Sequence, residues 1–148
     1  MKKHYLIFAL LFLASCSNDH RYTLYSNDKK QSITIISDGN IRYIINGDCE
    51  EVPEKNYVKV DLSSTPMNNN DELVGRWKTN KYEWEIINDG VTVLENKLDS
   101  IRFKFGTKFP EDKNGIPTLI DFYNKPNCFD VGFEYNKILN MRGEVKIE

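Results

Sequence analysis

The residues that most often carry enzyme chemistry are scarce along most of this chain. Both histidines, His4 and His20, lie within the first twenty residues. A Ser-His-Asp triad, a Cys-His pair and a histidine-rich metal site each need a histidine in the folded body, so residues 21–148 exclude them. No two glycines have the spacing of a P-loop or a dinucleotide-binding turn. We therefore expect no catalytic residue of these kinds, no metal and no cofactor.

Carboxylates are the one catalytic chemistry that this composition leaves open. The chain holds 22 Asp and Glu residues against 20 Lys and Arg residues. Glycosidases work with two facing carboxylates, so a carboxylate-based carbohydrate-active enzyme remains an alternative. In a soluble chain most carboxylates belong to the solvated surface, and the sequence favours a protein that is not an enzyme.

The first sixteen residues have the composition of an export signal. A short cationic start, Met1–His4, precedes the uncharged apolar run Tyr5–Leu13. That run is too short to span a bilayer as a helix, which takes about 20 residues, and it matches the apolar core of a secretory signal. It ends in the sequence Leu-Ala-Ser-Cys at Leu13–Cys16, which resembles the lipobox of bacterial membrane lipoproteins.

The lipobox resemblance implies how the chain is processed and what holds it. Cleavage would fall before Cys16, whose thiol takes a diacylglycerol and whose new amino terminus takes a fatty acid such as palmitate. Residues 1–15 would be the signal peptide, residues 16–20 a lipidated tether and residues 21–148 a single β-rich domain. Each buried methylene contributes about 0.8 kcal/mol, so two or three acyl chains anchor the protein in the lipid bilayer.

The residue after Cys16 indicates which membrane receives the protein. In the lipoproteins that the box resembles, Asp at this position favours the inner membrane, so Ser17 predicts the outer membrane where the cell has one. The periplasmic face is favoured over the cell surface. Loss of Lys2 and Lys3 would leave 18 basic residues against 22 acidic ones, a net charge of about −4. Such a body does not bind an anionic membrane by its own surface, and nucleic acid is not an expected partner.

Two cysteines remain once Cys16 is acylated. Cys49 and Cys128 would lie in an oxidising compartment, and neither belongs to a Cys-x-x-Cys pair. We predict a disulfide between them, which would close a loop of about 80 residues and contribute roughly 4 kcal/mol. Two separate buried thiols, or a bond to another protein, are the alternatives.

Alternation of apolar and polar residues dominates the chain after residue 20 and predicts β-strands. Residues 129–135 are the clearest case, being apolar at every odd position. We predict an all-β fold, an antiparallel two-sheet sandwich or small barrel of about 8–11 short strands in one domain. The predicted strands span residues 22–26, 32–36, 41–46, 58–62, 82–87, 90–95, 101–105, 117–123, 129–135 and 143–147.

Glycine-containing turns and one polar run divide these strands. Ser37–Asn40 supplies the positive φ of a tight hairpin turn, and Asn88–Gly90 is predicted to join its flanking strands in the same way. Residues 106–117 predict a long loop. The polar run Ser63–Asp71 predicts a linker between an N-terminal and a C-terminal meander.

Gly75-Arg76-Trp77 resembles the Gly-x-Trp signature on the first strand of lipocalin-like barrels. The resemblance implies that Trp77 seals the base of a barrel, and that an arginine of the last strand, Arg142, lies on its indole ring. It makes a carrier of a small apolar ligand an alternative function. Only about 70 residues follow the signature for the eight strands of a full barrel. A core tryptophan at the start of a strand is the simpler interpretation.

An acidic group surrounds the second cysteine. Asp48, Glu50 and Glu51 form it together with Glu54. It would suit docking of a basic protein, calcium ligation or simple solvation, and the sequence leaves these open. Asp112–Gly115 begins like a calcium loop but lacks the later ligands.

Four tyrosines give the N-terminal half unusual aromatic weight, namely Tyr22, Tyr25, Tyr43 and Tyr57. Exposed tyrosines are typical of protein interfaces, although strand alternation would turn some of these inward. We expect a non-catalytic envelope lipoprotein that binds a protein partner as an inhibitor, immunity or accessory protein. Trp77, Arg142 and the acidic residues Asp48, Glu50 and Glu51 are the candidate partner or ligand residues.

Overall fold

The alternating sequence forms ten β-strands in the computed structural model, which describes residues 20–64, 71–78, 83–118, 127–134 and 137–143. They pair into two five-stranded sheets, with the strand orders β1-β2-β3-β4-β7 and β10-β9-β5-β6-β8. In chain order the strands are β1 (His20–Tyr25), β2 (Ser32–Asp38), β3 (Ile41–Asn46), β4 (Tyr57–Asp61), β5 (Asp71–Lys78), β6 (Glu83–Asn88), β7 (Thr92–Asn96), β8 (Phe103–Gly106), β9 (Cys128–Glu134) and β10 (Lys137–Gly143). The predicted all-β, two-sheet sandwich in one domain is confirmed, and the strands described here do not close into a barrel.

The two sheets pack face to face through the side chains that alternation turns inward. In β2, Ile33 and Ile35 belong to the main core cluster, whereas Thr34 between them contacts a loop on the outer face. Most of the bulk of the core comes from aromatic residues of the second sheet, Trp77, Trp84, Phe103, Phe129 and Phe133. The space between the sheets is therefore filled by side chains.

Polar links join the sheets near both ends of β3. At its C-terminal end, Asn46 Oδ1 accepts a hydrogen bond of 3.0 Å from the indole N–H of Trp84 in the second sheet. Near its start, the buried Arg42 donates to Asn88 Oδ1 at 3.4 Å. The guanidinium also lies 3.9 Å from the centre of the Phe133 ring.

The first sheet is a four-stranded meander completed by a strand from later in the chain. The turn between β2 and β3 has Gly39 at φ +55°, as predicted. The prediction of a second hairpin at Asn88–Gly90 is wrong, because β6 belongs to the second sheet and β7 pairs with β4 in the first. The buried Val91 packs with Val58 and Val60 of β4, which draws β7 across the sandwich.

Because β7 lies in the first sheet, the next strand of the second sheet, β8, pairs parallel to β6. β8 returns to the second sheet in the same direction as β6, with Trp84 opposite Phe103 and Ile86 opposite Phe105. All other pairs among the described strands are antiparallel, so the prediction of a wholly antiparallel sandwich needs this correction.

β5 is a central strand that alternation did not predict, and Trp77, which was expected at the start of a strand, lies near its end. β5 lies between β9 and β6 and begins at Asp71, which had been placed in a linker. Residues 65–70 of that linker lie outside the described residues, as do 119–126 and 144–148, which hold most of two predicted strands. The predicted loop 106–117 is confirmed beyond Gly106, since residues 107–118 contain only an isolated bridge between Glu111 and Pro117.

The predicted disulfide is absent, because neither Cys49 nor Cys128 is bonded to another cysteine. Cys49 packs with Ile45 and other residues on the outer face of the first sheet. Cys128 is opposite Arg76 in the second sheet, and alternation turns it away from the core residue Phe129 beside it. Packed sheets are about 10 Å apart, whereas bonded cysteines need Cα atoms within about 7 Å, so outer faces of opposite sheets cannot be bridged.

None of the residues described here belongs to a helix long and apolar enough to cross a membrane. The predicted signal peptide, residues 1–15, and the predicted lipid-bearing Cys16 lie outside the described residues.

Candidate functional site

One side of the sandwich leaves two strand edges without a neighbour among the described residues. β7 is the last strand of the first sheet and pairs there only with β4, while β8 is the last strand of the second and pairs only with β6. Residues 97–102 connect the two strands. We call Thr92–Gly106 the β7–β8 side.

Three large apolar side chains are exposed on the β7–β8 side. Val93 is 40% exposed, Leu94 is 50% exposed, and Ile101 in the connection is 86% exposed. Exposed apolar residues beside a free strand edge are typical of contact with another protein.

A β-bulge exposes the apolar residues of β7. Glu95 is opposite Lys59, but Val93 is opposite Val60, so Leu94 is an extra residue on the edge strand. A bulge of this kind bends the strand and interrupts its regular alternation. Adjacent apolar residues at positions 93 and 94 are then both accessible to solvent.

Hydrogen bonds hold Ile101 at the tip of a defined turn. The carboxylate of Asp99 accepts the Ile101 N–H at 3.1 Å, and the Asp99 carbonyl accepts the Phe103 N–H at 2.8 Å. The turn delays the strand until Phe103, which is buried. The exposure of Ile101 is therefore built into the turn.

A cleft of about 450 Å³ lies beside β8. It is lined by all four residues of β8, by residues 85–87 of β6, and by Asn96, Ser100, Lys108 and Pro110. Its volume falls in the range of ligand sites, which is roughly 300–1,000 Å³. The lining combines strand backbone and apolar residues such as Ile87 and Phe105 with polar and charged side chains.

The charge of the cleft is set by two lysines. Lys104 and Lys108 are exposed and form no ion pair within the described part of the chain. Glu85, the one carboxylate among the described lining residues, is bound by Arg76 through contacts of 2.7 and 3.0 Å. The cleft thus has cationic groups available to an anionic ligand.

Comparison with known proteins assigns this chain to no family. No family model matches the chain, and no match was found among the curated proteins or the solved structures. The function has to be argued from the chain's own residues.

The structure places Trp77 in the core and does not leave it available to a partner. The side chain is 4% exposed, and its ring centre lies 5.1 Å from that of Phe129. Arg142 is on β10 opposite Asp130, and β9 separates its strand from the β5 strand that carries Trp77. The Arg142 side chain lies outside the described part, so its predicted contact with the indole stays a prediction.

Asp48 fastens the loop after β3 to the outer face of the first sheet. Its carboxylate pairs with Arg21 and accepts hydrogen bonds from the Tyr25 hydroxyl and, at 3.2 Å, from Thr23. The Tyr25 hydrogen bond above all, with those from Thr23 and Arg21, holds the pKa of Asp48 below its ordinary value. Asp48 therefore has a structural role.

Thr34 completes the attachment of the loop. Its hydroxyl donates to the Gly47 carbonyl at 2.7 Å and accepts the Cys49 N–H at 3.0 Å. Glu50 and Glu51 are exposed farther along the loop. The predicted acidic group thus divides into one carboxylate bound to the sheet and others at the surface.

The four tyrosines divide between the two faces of the first sheet. Tyr22 packs on the core cluster, with its ring centre 6.4 Å from that of Phe133. Tyr43 and Tyr57 meet edge to face on the outer side at 5.9 Å, and Tyr57 donates to Glu95 at 2.6 Å. With Tyr25 bound to Asp48, these residues contribute to packing and hydrogen bonding within the sheet.

The predicted calcium-like loop is a turn stabilised by Asp112. Its carboxylate accepts the backbone N–H groups of Asn114 at 2.8 Å and of Ile116 at 3.0 Å, and these bonds lower its pKa. In the described ranges, no three side chains of the His, Cys, Asp or Glu types are placed to hold a metal ion.

The β7–β8 side is the feature that the sequence reasoning missed. Ile101 was assigned to the apolar face of a strand over residues 101–105, whereas the strand begins at Phe103. The Asp99-Ser100 pair before it is a turn signal that could have corrected the boundary.

Proposed function

We propose that this chain is an envelope-anchored, non-catalytic lipoprotein, held to the bilayer by an acylated Cys16, whose sandwich binds a protein partner. The partner role would be of the inhibitor, immunity or accessory type. The observation that carries the binding proposal is the exposure of Val93, Leu94 and Ile101 beside strand edges that have no neighbour in the described part of the chain. Aliphatic side chains in such a setting lose unfavourable contact with water when a partner covers them.

Two features of the structure favour a protein partner over the alternative functions. A carrier of an apolar ligand needs an interior cavity, whereas aromatic side chains such as Trp84 and Phe129 fill the space between the sheets. A glycosidase needs two facing carboxylates, whereas Glu85 is the single carboxylate among the described residues of the cleft.

The anchoring half of the proposal is tested by substituting the lipid-bearing cysteine. A Cys16→Ser variant should lose the mass of the lipid and leave the membrane fraction or accumulate as the unprocessed precursor. A Cys49→Ser variant is the matched control and should keep both the lipid and the membrane fraction. Unchanged mass and fractionation of the Cys16→Ser variant would refute the anchor.

The binding half is tested by photo-crosslinking in the protein's native membranes. A photoreactive residue at position 101 or 94 should give a discrete adduct with one protein. The same residue at position 52 is the control, because Val52 is exposed on the loop over the first sheet. The adduct from position 101 should disappear in a Leu94→Asp background. Absence of an adduct at both test positions, or equal yields at position 52, would overturn the proposal.

A further inference from the structure

We infer that the partner contributes an extended acidic segment, which adds as a new strand to the edge of β8 that no described residue covers and places carboxylates at Lys104 and Lys108. This inference rests on the proposed protein-binding function and names the chemistry of the bound segment. It combines three observations, namely a regular strand edge that has no strand neighbour among the described residues, a cleft along that edge, and two lysines that form no ion pair in the same part of the chain.

The edge of β8 has the geometry that strand addition requires. β8 pairs with β6 through Phe103–Gly106 without a register shift. On the outer side of an edge strand, alternate residues direct N–H and C=O groups away from the sheet, where an extended peptide can bond to those that have no other partner. The Phe103 N–H is not one of these, because the Asp99 carbonyl accepts it at 2.8 Å. The neighbouring edge strand β7 is less suitable because the bulge at Leu94 interrupts its regular pairing.

The cleft supplies room for the added segment beside this edge. All four residues of β8 line it, while Asn96 and Ser100 border it from the β7 connection and Pro110 from the following loop. Asn96 and Ser100 can both form hydrogen bonds to a peptide backbone or side chain. An extended backbone with small side chains that carry both methyl and polar groups, such as threonine, therefore matches the mixed lining.

Lys104 and Lys108 favour an added segment that carries negative charge. Lys104 and Lys108 both line the cleft and are exposed, while the carboxylate of Glu85 is already bound by Arg76. In a strand, side chains two or four residues apart lie on one face, about 7 or 14 Å apart. Carboxylates at such spacing in the added segment could reach one lysine each.

Charge also argues against a second copy of this chain as the occupant. Antiparallel pairing of β8 with its own copy would bring the two Lys104 side chains together, and like charges on facing strands are destabilising. The chain as a whole carries a net charge of −2, so the lysines form a local cationic site on an acidic protein. An acidic segment of another protein avoids repulsion between two Lys104 side chains and complements the local positive charge.

The test uses capped eight-residue peptides and NMR titration of the full chain. The acidic probe alternates threonine and glutamate, and a control peptide alternates threonine and lysine. A third peptide keeps the acidic sequence but carries N-methyl groups on alternate amides, which removes the backbone donors. We expect the acidic probe to shift the amide signals of residues 103–108, and the two control peptides to bind at least about tenfold more weakly.

Substitutions in the protein distinguish binding at the β8 edge from non-specific attraction between opposite charges. Lys104→Glu with Lys108→Glu should weaken binding of the acidic probe by about tenfold or more. Lys55→Glu, an exposed charge change on the loop over the first sheet, should leave it within about twofold. A Lys104→Gln variant gives the same comparison with a smaller change if the double variant does not fold.

Each contrary outcome has a distinct meaning. Equal binding of the N-methylated peptide, equal binding to the Lys104 variants, or no signal shifts at millimolar probe would overturn the strand-addition inference. A crosslinked partner at position 101 would still support the proposed function in that case. Probe binding without any crosslinked partner would support the edge chemistry and count against the proposed function.

Discussion

Gly75 shows how the core of the second sheet depends on the absence of one side chain. A Cβ at this position would lie 2.3 Å from Cζ of Phe129, on the neighbouring strand. The Phe129 ring has little room to move away from Gly75, because it also packs against Trp77, with the two ring centres 5.1 Å apart. The glycine therefore lets the aromatic core lie directly on the strand backbone.

Gly75→Ala should destabilise the fold by about 1–3 kcal/mol, because the added methyl overpacks the core. Urea denaturation of the full chain measures the loss. Gly106→Ala is the matched control in the same sheet, since its nearest neighbour, Ile87 Cγ1, would be 3.6 Å away. A loss for Gly75→Ala no larger than that for Gly106→Ala would contradict the packing argument.

The carboxylate of Asp48 gives the loop attachment a predictable pH dependence. Its pKa is lower in the folded protein than the ordinary value of 3.8, chiefly because the Tyr25 hydroxyl donates to it. A lowered folded pKa contributes stability above the unfolded pKa, and this contribution is lost as the pH falls through the folded pKa. The attachment should therefore hold at neutral pH and weaken below about pH 4.

Asp48→Asn should cost up to about 1 kcal/mol at pH 7, a small value because the side chain is largely exposed and solvent screens its ion pair. The difference from the unsubstituted chain should shrink as the pH falls below about 3.8 and through the lower pKa of folded Asp48, where the carboxylate becomes protonated. Denaturation curves at several pH values measure it. Glu50→Gln, an exposed neighbour, should change little, and a pH-independent Asp48→Asn effect would contradict the assignment.

At the scale of elements, composition and turns located most of the strands, whereas a missing side chain hid β5. β2 and β3 were predicted closely because each is a short run rich in isoleucine, although Ile35-Ile36 and Ile44-Ile45 interrupt strict alternation. In β5 the inward position between Leu73 and Trp77 is Gly75, which has no side chain, so the apolar series was not visible. β7 was predicted over residues 90–95 and spans Thr92–Asn96, but its bulge at Leu94 and the exposure of Val93 and Leu94 were not visible in the pattern.

Strand partners could not be predicted from local pattern alone. The Asn88–Gly90 turn has the composition of a hairpin, yet the pairing was decided by Val91, which packs on β4 of the other sheet. The lysines of the β8 cleft come from a strand and a later loop, and only the folded backbone brings them together. Local chemistry specified the turn, and long-range burial determined which strands it separates.

The link between β3 and β6 should be worth a measurable amount of stability. Asn46→Ala removes the acceptor of the Trp84 indole N–H and leaves a largely buried donor unsatisfied, at a cost of about 1–3 kcal/mol. Thermal unfolding monitored by the fluorescence of the two core tryptophans, Trp77 and Trp84, measures this cost. Asn27→Ala, in an exposed turn, is the control and should be neutral. Equal stabilities of the two variants would contradict the link.

At the scale of the whole molecule, the two sheets keep the remaining cysteines apart. Cys49 packs on the outside of one layer, and Cys128 starts a strand of the other. We expect two alkylatable thiols when the exported protein is denatured without reductant. Cys49 should react first under native conditions because Cys128 is more deeply buried.

Mass spectrometry of the alkylated protein decides the thiol prediction. A Cys49→Ala variant serves as the control and should lose the faster of the two reactions. Recovery of a disulfide-linked peptide pair containing both cysteines would contradict the arrangement of the sheets. Replacing both cysteines by alanine should not cost the roughly 4 kcal/mol expected from the loss of a bridge of this loop length.

The transfer of β7 into the first sheet has a consequence for how the chain folds as it emerges in order. β4 lacks its outer neighbour until residues 92–96 are available, and β5 lacks β9 until residues 128–134 follow. Neither layer can be finished by one half of the chain, so partial chains would expose unpaired, aggregation-prone edges. Contacts between such distant residues form slowly, and we expect a single late, cooperative step that completes both layers together.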